Sequence, residues 1–185
     1  MGEIDDAIER ADRESFTRQP PKTLKGQIGY LIRQLGSAKA VAQEIGVTAD
    51  SVNRYRRGAR KHARADVAAK IDDAVRQRWQ PQVRKRRQKQ AATSGGITVE
   101  TRARFGYTAP VGTTDDGRFR RLTVHLPPAY AQRLFDARDA GASDQQMRGI
   151  IAEGFKEIYF QDGGGRATGL SDVAINDIDY LDLDY

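Results

Sequence analysis

Two adjacent hydroxyls beside two adjacent carboxylates make residues 112–117, GTTDDG, the stretch of this chain with most to offer chemically. Thr113 and Thr114 are candidate nucleophiles, and glycines on both sides would let the backbone carry a hydroxyl outward. The reaction suited to such a group is nucleotidyl transfer to a protein hydroxyl, in which the oxygen enters a polymerase active site and a divalent metal activates it. Asp115 and Asp116 are candidates for helping the approach to that metal. Threonine, aspartate and glycine are also good turn residues, and a plain hairpin tip would use the same letters. Other enzymatic constellations are missing from the sequence. It has no Gly-rich phosphate loop with a Lys-Ser/Thr pair, no histidine near a nucleophile, and no catalytic carboxylate pair in a recognisable helix.

A different chemistry, the reading of DNA, is written into residues 38–57, AKAVAQEIGVTADSVNRYRR. Val41, Ala42, Ile45, Gly46, Val47, Val52 and Tyr55 stand where a helix-turn-helix needs its internal residues. Ala42 is small enough for a second helix to cross closely over the first, and Gly46 supplies the positive φ that a three-residue turn requires. Thr48 is placed to cap the second helix, which leaves Ala49, Asp50, Asn53, Arg54 and Arg57 on the face that would enter a major groove. Arg54 suits a bidentate contact with guanine and Asn53 one with adenine, while Arg60 and Lys61 extend the basic run. A plain αα-hairpin in a bundle could use the same small residues. The outer face lacks apolar residues, however, and ends in NRYRRGARK, which suits phosphates better than a partner helix.

Both stretches need elements to hold them. Residues 3–16 fit a short acidic helix, interrupted by Pro20 and Pro21. Leu24, Ile28, Leu31, Ile32 and Leu35 then repeat at helical spacing, and so do Val67, Ile71, Val75 and Trp79 within a helix expected over 62–79. From Pro81 the pattern stops, and Arg84, Lys85, Arg86, Arg87 and Lys89 follow with no acidic residue among them. They read as a linker or as a basic arm along phosphate. Beyond Gly96, Ile97 to Tyr107 and Phe119 to Leu126 read as the two strands of a hairpin, with Gly112 and Gly117 in the loop. Pro127 and Pro128 suit the first turn of a helix, and Ser143 with Gln146 forms a capping box that opens another. The expected class is α+β. It comprises an acidic N-terminal segment 1–20, a helix-turn-helix domain 21–80, a basic linker or arm 81–96, a ββαα domain 97–161 and an acidic tail 162–185.

Charge separates these parts. Residues 17–95 carry 19 basic and 5 acidic side chains, against 2 and 6 over 1–16 and 1 and 6 over 162–185. A basic block of that density attracts a polyanion in a salt-dependent way. The absence of cysteine rules out a disulfide framework and thiolate metal sites, and His62 and His125 have no second ligand at metal spacing. The acidic N-terminus fits neither a signal peptide nor a membrane anchor, so an intracellular protein without a membrane partner is expected.

The segments TLKGQIGYL, AVAQEIGVTADSVNRYRRGARK, KRRQKQ, FGYTAPVGTTDDGRFRRLTVHLPP and AINDIDYLDLDY together resemble the telomere terminal proteins of actinobacterial linear chromosomes and linear plasmids, over almost the whole chain. The resemblance implies a protein joined covalently to the 5′ ends of linear DNA, whose hydroxyl primes the synthesis that fills the terminal gap. It implies a substrate of a DNA polymerase and not a catalyst. No cofactor would be bound intrinsically, while magnesium and a deoxynucleotide triphosphate would serve during priming. Telomeric DNA, a telomere-binding recruitment protein and a DNA polymerase would be the partners, and the cytoplasm, at the chromosome ends of the nucleoid, the place. The linkage residue would be a threonine of GTTDDG: Thr114, which precedes the acidic pair, with Thr113 as alternative, since the residues themselves do not separate the two. A helix-turn-helix transcriptional regulator, or a nucleoid or partition protein, makes similar demands on residues 38–57 and is the competing expectation.

Overall fold

The computed structural model describes residues 2–116 and 118–185, so the Gly117 end of GTTDDG lies outside the described residues. The chain divides into two compact units: the continuous segment Phe16–Pro81, and a unit that joins Met1–Ser15 to Gln82–Tyr185. Among the described residues there are eight α-helices and a four-stranded antiparallel sheet, an α+β arrangement. None of these helices is long and apolar enough to cross a membrane.

Helix α1 (Glu3–Glu14) precedes the inner segment, which itself contains α2 (Leu24–Leu35), α3 (Ala38–Ile45), α4 (Ala49–Arg57) and α5 (Ala65–Arg78). Each of α2, α3 and α4 opens on a hydroxyl cap: Thr23, Ser37 and Thr48 accept from the amides of Gly26, Ala40 and Ser51. These caps satisfy amides that a helix start leaves unpaired. Gly46, at φ 69°, ends α3 in the left-handed region, and the chain reverses into α4 within three residues. Ile28, Leu31, Val41, Ile45, Val52 and Ile71 are fully buried between the four helices, and Ala42 lets α3 and α4 approach. Trp79 packs its ring 4.9 Å from that of Tyr30 and donates from Nε1 to the carbonyl of Arg18.

The second unit is built on a strand. Strand β1 (Ile97–Ala109) is central: β4 (Asp172–Asp184) runs antiparallel along one edge. On the other edge β3 (Arg120–Leu126) pairs with residues 97–103, and β2 (Gly112–Asp115) with residues 106–109. Alternation puts Val99, Ala103, Phe105, Leu122, Val124, Val173, Ile175, Leu181 and Leu183 on one face. The register of β4 slips twice, between Arg102 and Phe105, and those two one-residue slips return its apolar residues to the same face. Ile4 and Ile8 of α1, with α7 (Pro128–Asp139) and α8 (Asp144–Gly154), cover that face through Leu134, Phe135, Ile151 and the following Phe155. The opposite face is open.

Four expectations are corrected here. Residues 81–90 are helix α6 (Pro81–Gln90), not a linker, because Arg, Lys and Gln favour helix and proline is tolerated in the first turn. Its lack of apolar periodicity is compensated by one buried residue, Arg84. The N-terminal segment 1–20 is not separate, since α1 buries Ile4, Ala7 and Ile8 in the core of the sheet unit. Residues 172–184 are a core strand and not a tail, because their alternating apolar residues complete the sheet face. The ββαα order therefore becomes β1–β2–β3–α7–α8–β4, and the chain turns at Pro110 and Val111, ahead of the strand that begins GTTDDG. Pro110 has no amide to extend a strand, and Gly112 at φ 135° takes the chain back.

Candidate nucleic-acid interface and acceptor hydroxyl

Charge follows the division into units, though less sharply than it follows linear sequence, because basic residues 84–89 fall in the sheet unit. Phe16–Pro81 carries 14 basic and 5 acidic side chains, while the sheet unit carries 17 and 20. The helical unit alone thus has the long-range field that draws a polyanion.

Within it, the side of α4 away from Val52 and Tyr55 presents Asp50, Arg54 and Arg57 to solvent, with Ala49 and Asn53 half-buried beside them. Thr48 is exposed at the cap, and Arg60 and Lys61 are exposed in the connection to α5. Arg54 is not idle, for its guanidinium lies 2.8 Å from the Asp50 carboxylate one turn earlier, with both side chains at least half exposed. An exposed pair of this spacing is worth about 0.3–0.5 kcal/mol, so a base edge or phosphate can displace it readily.

The basic residues of α6 divide. Lys85 and Arg86 are exposed and Arg87 is half-buried, whereas Arg84 is only 9% exposed. Arg84 donates to both oxygens of Glu9, at 2.7 and 2.8 Å, and lies 3.4 Å from Asp12. Arg138 and Tyr185 close the cluster, the tyrosine hydroxyl donating to Asp12 at 2.7 Å. Burial pushes Glu9 up, but the hydrogen bonds and charge of Arg84, with Arg13 and Arg138, outweigh it and hold the carboxyl below its ordinary value. For Asp12 burial prevails over the Tyr185 hydrogen bond and the two guanidiniums, and its carboxyl titrates above the ordinary value. As a phosphate contact Arg84 is therefore corrected: two carboxylates already neutralise it inside the unit. Nothing in RKRRQKQ singled it out; the signal lay in Glu9 and Asp12, three residues apart on α1.

Thr113, Thr114 and Asp115 are all exposed on the edge strand β2, and Asp116 follows it half-buried. The two threonines point to opposite faces, as neighbours on a strand must. Thr113 pairs with Thr108 in the ladder, and their hydroxyls are 3.2 Å apart. Thr114 pairs with Tyr107, and its hydroxyl makes no hydrogen bond among the described residues. The Tyr107 hydroxyl is buried without a hydrogen-bond partner among the described residues, and burial, followed by smaller charge effects, raises its pKa, so it stays a phenol. The two carboxylates do not converge on a shared site. Asp115 accepts from Asn176 at 3.0 Å across Gly106, where a Cβ would stand 2.7 Å from the Asp115 carboxylate. Asp116 accepts from the Arg118 amide and from Arg120 Nε at 2.7 Å, and these two hydrogen bonds keep it well ionised. Among the described residues no group of three or more His, Cys, Asp or Glu is arranged to hold a metal ion.

No protein-family model matches the chain, and no curated protein or solved structure matches it either.

Proposed function

We propose that the chain is a telomere terminal protein: a DNA-binding protein primer whose α3–turn–α4 pair acts as a helix-turn-helix and whose Thr114 hydroxyl accepts the first deoxynucleotide. The observation that carries the priming half is the contrast between the threonines. Thr113 spends its hydroxyl on Thr108, while Thr114 stands exposed on an edge strand with its hydroxyl unengaged among the described residues. In the reaction, Thr114 Oγ1 attacks the α-phosphorus of a deoxynucleotide triphosphate. A phosphoester bond forms, the bond to the β-phosphate oxygen breaks, pyrophosphate leaves, and the hydroxyl proton passes to a base.

Among the described residues the groups beside Thr114 are already engaged: Asp115 accepts from Asn176. Tyr107 is held protonated, and Asp116 is engaged by Arg118 and Arg120. This supports a substrate role, with the base, magnesium and nucleotide supplied by a DNA polymerase. DNA binding is supported by the charge of the helical unit and by Asn53, Arg54 and Arg57 along one side of α4. A recruitment protein that recognises telomeric DNA, and residence at chromosome ends in the nucleoid, belong to the same proposal. Incubation of the full chain with polymerase, magnesium and labelled deoxynucleotide, followed by mass spectrometry of the linked peptide, tests it. Label on a peptide spanning residue 114 is the expected result. Duplex binding without any covalent label would move the reading to a helix-turn-helix regulator or a nucleoid protein.

A further inference from the structure

Beside the turn between α3 and α4 lies a cleft of about 620 Å³. Its lining includes Thr48 and Ser51, their hydroxyls 3.0 Å apart, together with Arg60, Lys61, His62 and Arg64. The four basic or imidazole side chains come from one short connection, 58–64, which leaves α4 at Gly58 and bonds back through the Ala59 and Arg60 amides to the Arg54 carbonyl. Among the described residues, the single carboxylate paired with any of them is Asp66, 3.4 Å from Arg64, with both side chains largely exposed. So exposed a pair is weak and exchanges readily for another anion. Arg60 and Lys61 have no ion pair at all among the described residues.

A cleft lined by two guanidinium groups, an ammonium, an imidazole and two hydroxyls, with no carboxylate in its lining, is rich in donors and suits an oxyanion. Its place narrows the choice of anion. The cleft adjoins the Thr48 end of α4, the end that goes deepest into a major groove in a helix-turn-helix, where backbone phosphates run along the groove edge.

We propose that this cleft seats one backbone phosphate of duplex DNA, which makes residues 60–64 a sequence-independent clamp beside the reading helix. The clamp rests on the DNA-binding reading above and adds Ser51, His62 and Arg64 to the contact surface. Phosphate contacts fix register and orientation while base contacts select sequence, so the two sets of side chains have separable effects.

The test uses the full chain and several unrelated mixed-sequence duplexes, with affinity followed against salt. R60Q/R64Q should weaken binding to every duplex by the same factor and lower the slope of log affinity against log salt by about 0.9, the value for one lost phosphate contact. Over a fourfold rise in salt that makes the loss of affinity about three times smaller. R60K/R64K keeps the charge and should keep the slope, which guards against a folding artefact. Inorganic phosphate at constant ionic strength should not displace the duplex. The clamp is overturned by an unchanged slope in R60Q/R64Q, by an equal loss in R60K/R64K, or by displacement with inorganic phosphate that R60Q/R64Q abolishes, which would assign the cleft to a free ion. A wild-type chain that binds no duplex overturns the DNA-binding reading itself, a result distinct from binding with an untouched slope.

Discussion

Single side chains carry the two proposed roles. Thr114→Ala should leave duplex affinity intact and shift stability by less than about 0.5 kcal/mol, since it alters an exposed edge-strand residue. It should abolish attachment of labelled deoxynucleotide, whereas Thr114→Ser, which keeps the attacking oxygen, should retain part of it. Thr113→Ala should label normally, because its hydroxyl serves Thr108 in the ladder. Label persisting in the Thr113/Thr114 double variant would remove β2 from the mechanism. On the proposed DNA face, Arg54→Ala should cost about 1–3 kcal/mol on a preferred site and relax preference at one base pair, measured by competition between duplexes. An equal loss on all sequences would assign Arg54 to phosphate positioning. The Asp50 pair does not oppose this prediction, being too exposed to hold Arg54 against a base edge.

At the scale of elements, α6 has two faces with different work to do. Arg84→Ala should destabilise the sheet unit by up to about 3–5 kcal/mol, because it removes the guanidinium that donates to both oxygens of buried Glu9 and leaves the cluster to the more distant Arg13 and Arg138. Thermal unfolding would register that loss, while the salt slope of DNA binding should stay unchanged. Neutralising Lys85 and Arg86 should do the reverse, leaving unfolding alone and lowering the slope by about 0.9 for each phosphate lost. A slope that ignores both variants would confine α6 to scaffolding. Strand β4 is likewise more than its aspartates. Its outer carbonyls are covered by arginines, Arg10 donating to Leu181 and Arg148 to Ile175 and Asn176, an arrangement that blunts an otherwise exposed edge.

Over the whole molecule, two units with separate cores predict separable stability. The helical unit has its own buried set from Ile28 to Ile71, and Ile45→Ala should cost about 2–5 kcal/mol in its unfolding step alone. The sheet unit should carry the acid response of the Glu9–Asp12–Arg84 cluster. Glu9, lowered in the fold, contributes stability that is present above its ordinary 4.5 and lost as pH falls through the lowered value. Asp12 has the opposite sign: raised above its ordinary 3.8, it favours the fold when protonated, and that contribution fades as pH rises through the raised value. The two offset each other, so Asp12→Asn should steepen the fall in melting temperature on acidification below about 4.5. A fall no steeper than wild type would mean that Asp12 does not titrate with the fold.

What the sequence determined by itself was local. Helix caps at Thr48 and Ser143, the left-handed Gly46, the apolar repeats of 24–35 and 67–79, and the strand alternation of β3 depend on residues a few positions apart, so periodicity and turn chemistry reveal them. Tertiary structure decided whatever depended on partners distant in sequence. Arg84 turned inward because Glu9 and Asp12, more than seventy residues earlier, meet it in the core. The acidic end of the chain became a strand because β1 offered an unpaired edge along 98–108. Residues 112–115 became a strand instead of a turn because Pro110 and Val111 had already reversed the chain. Pairing β2 with β1 then separated two threonines that are equivalent in sequence: strand geometry sends neighbouring side chains to opposite faces, and only one of those faces held Thr108.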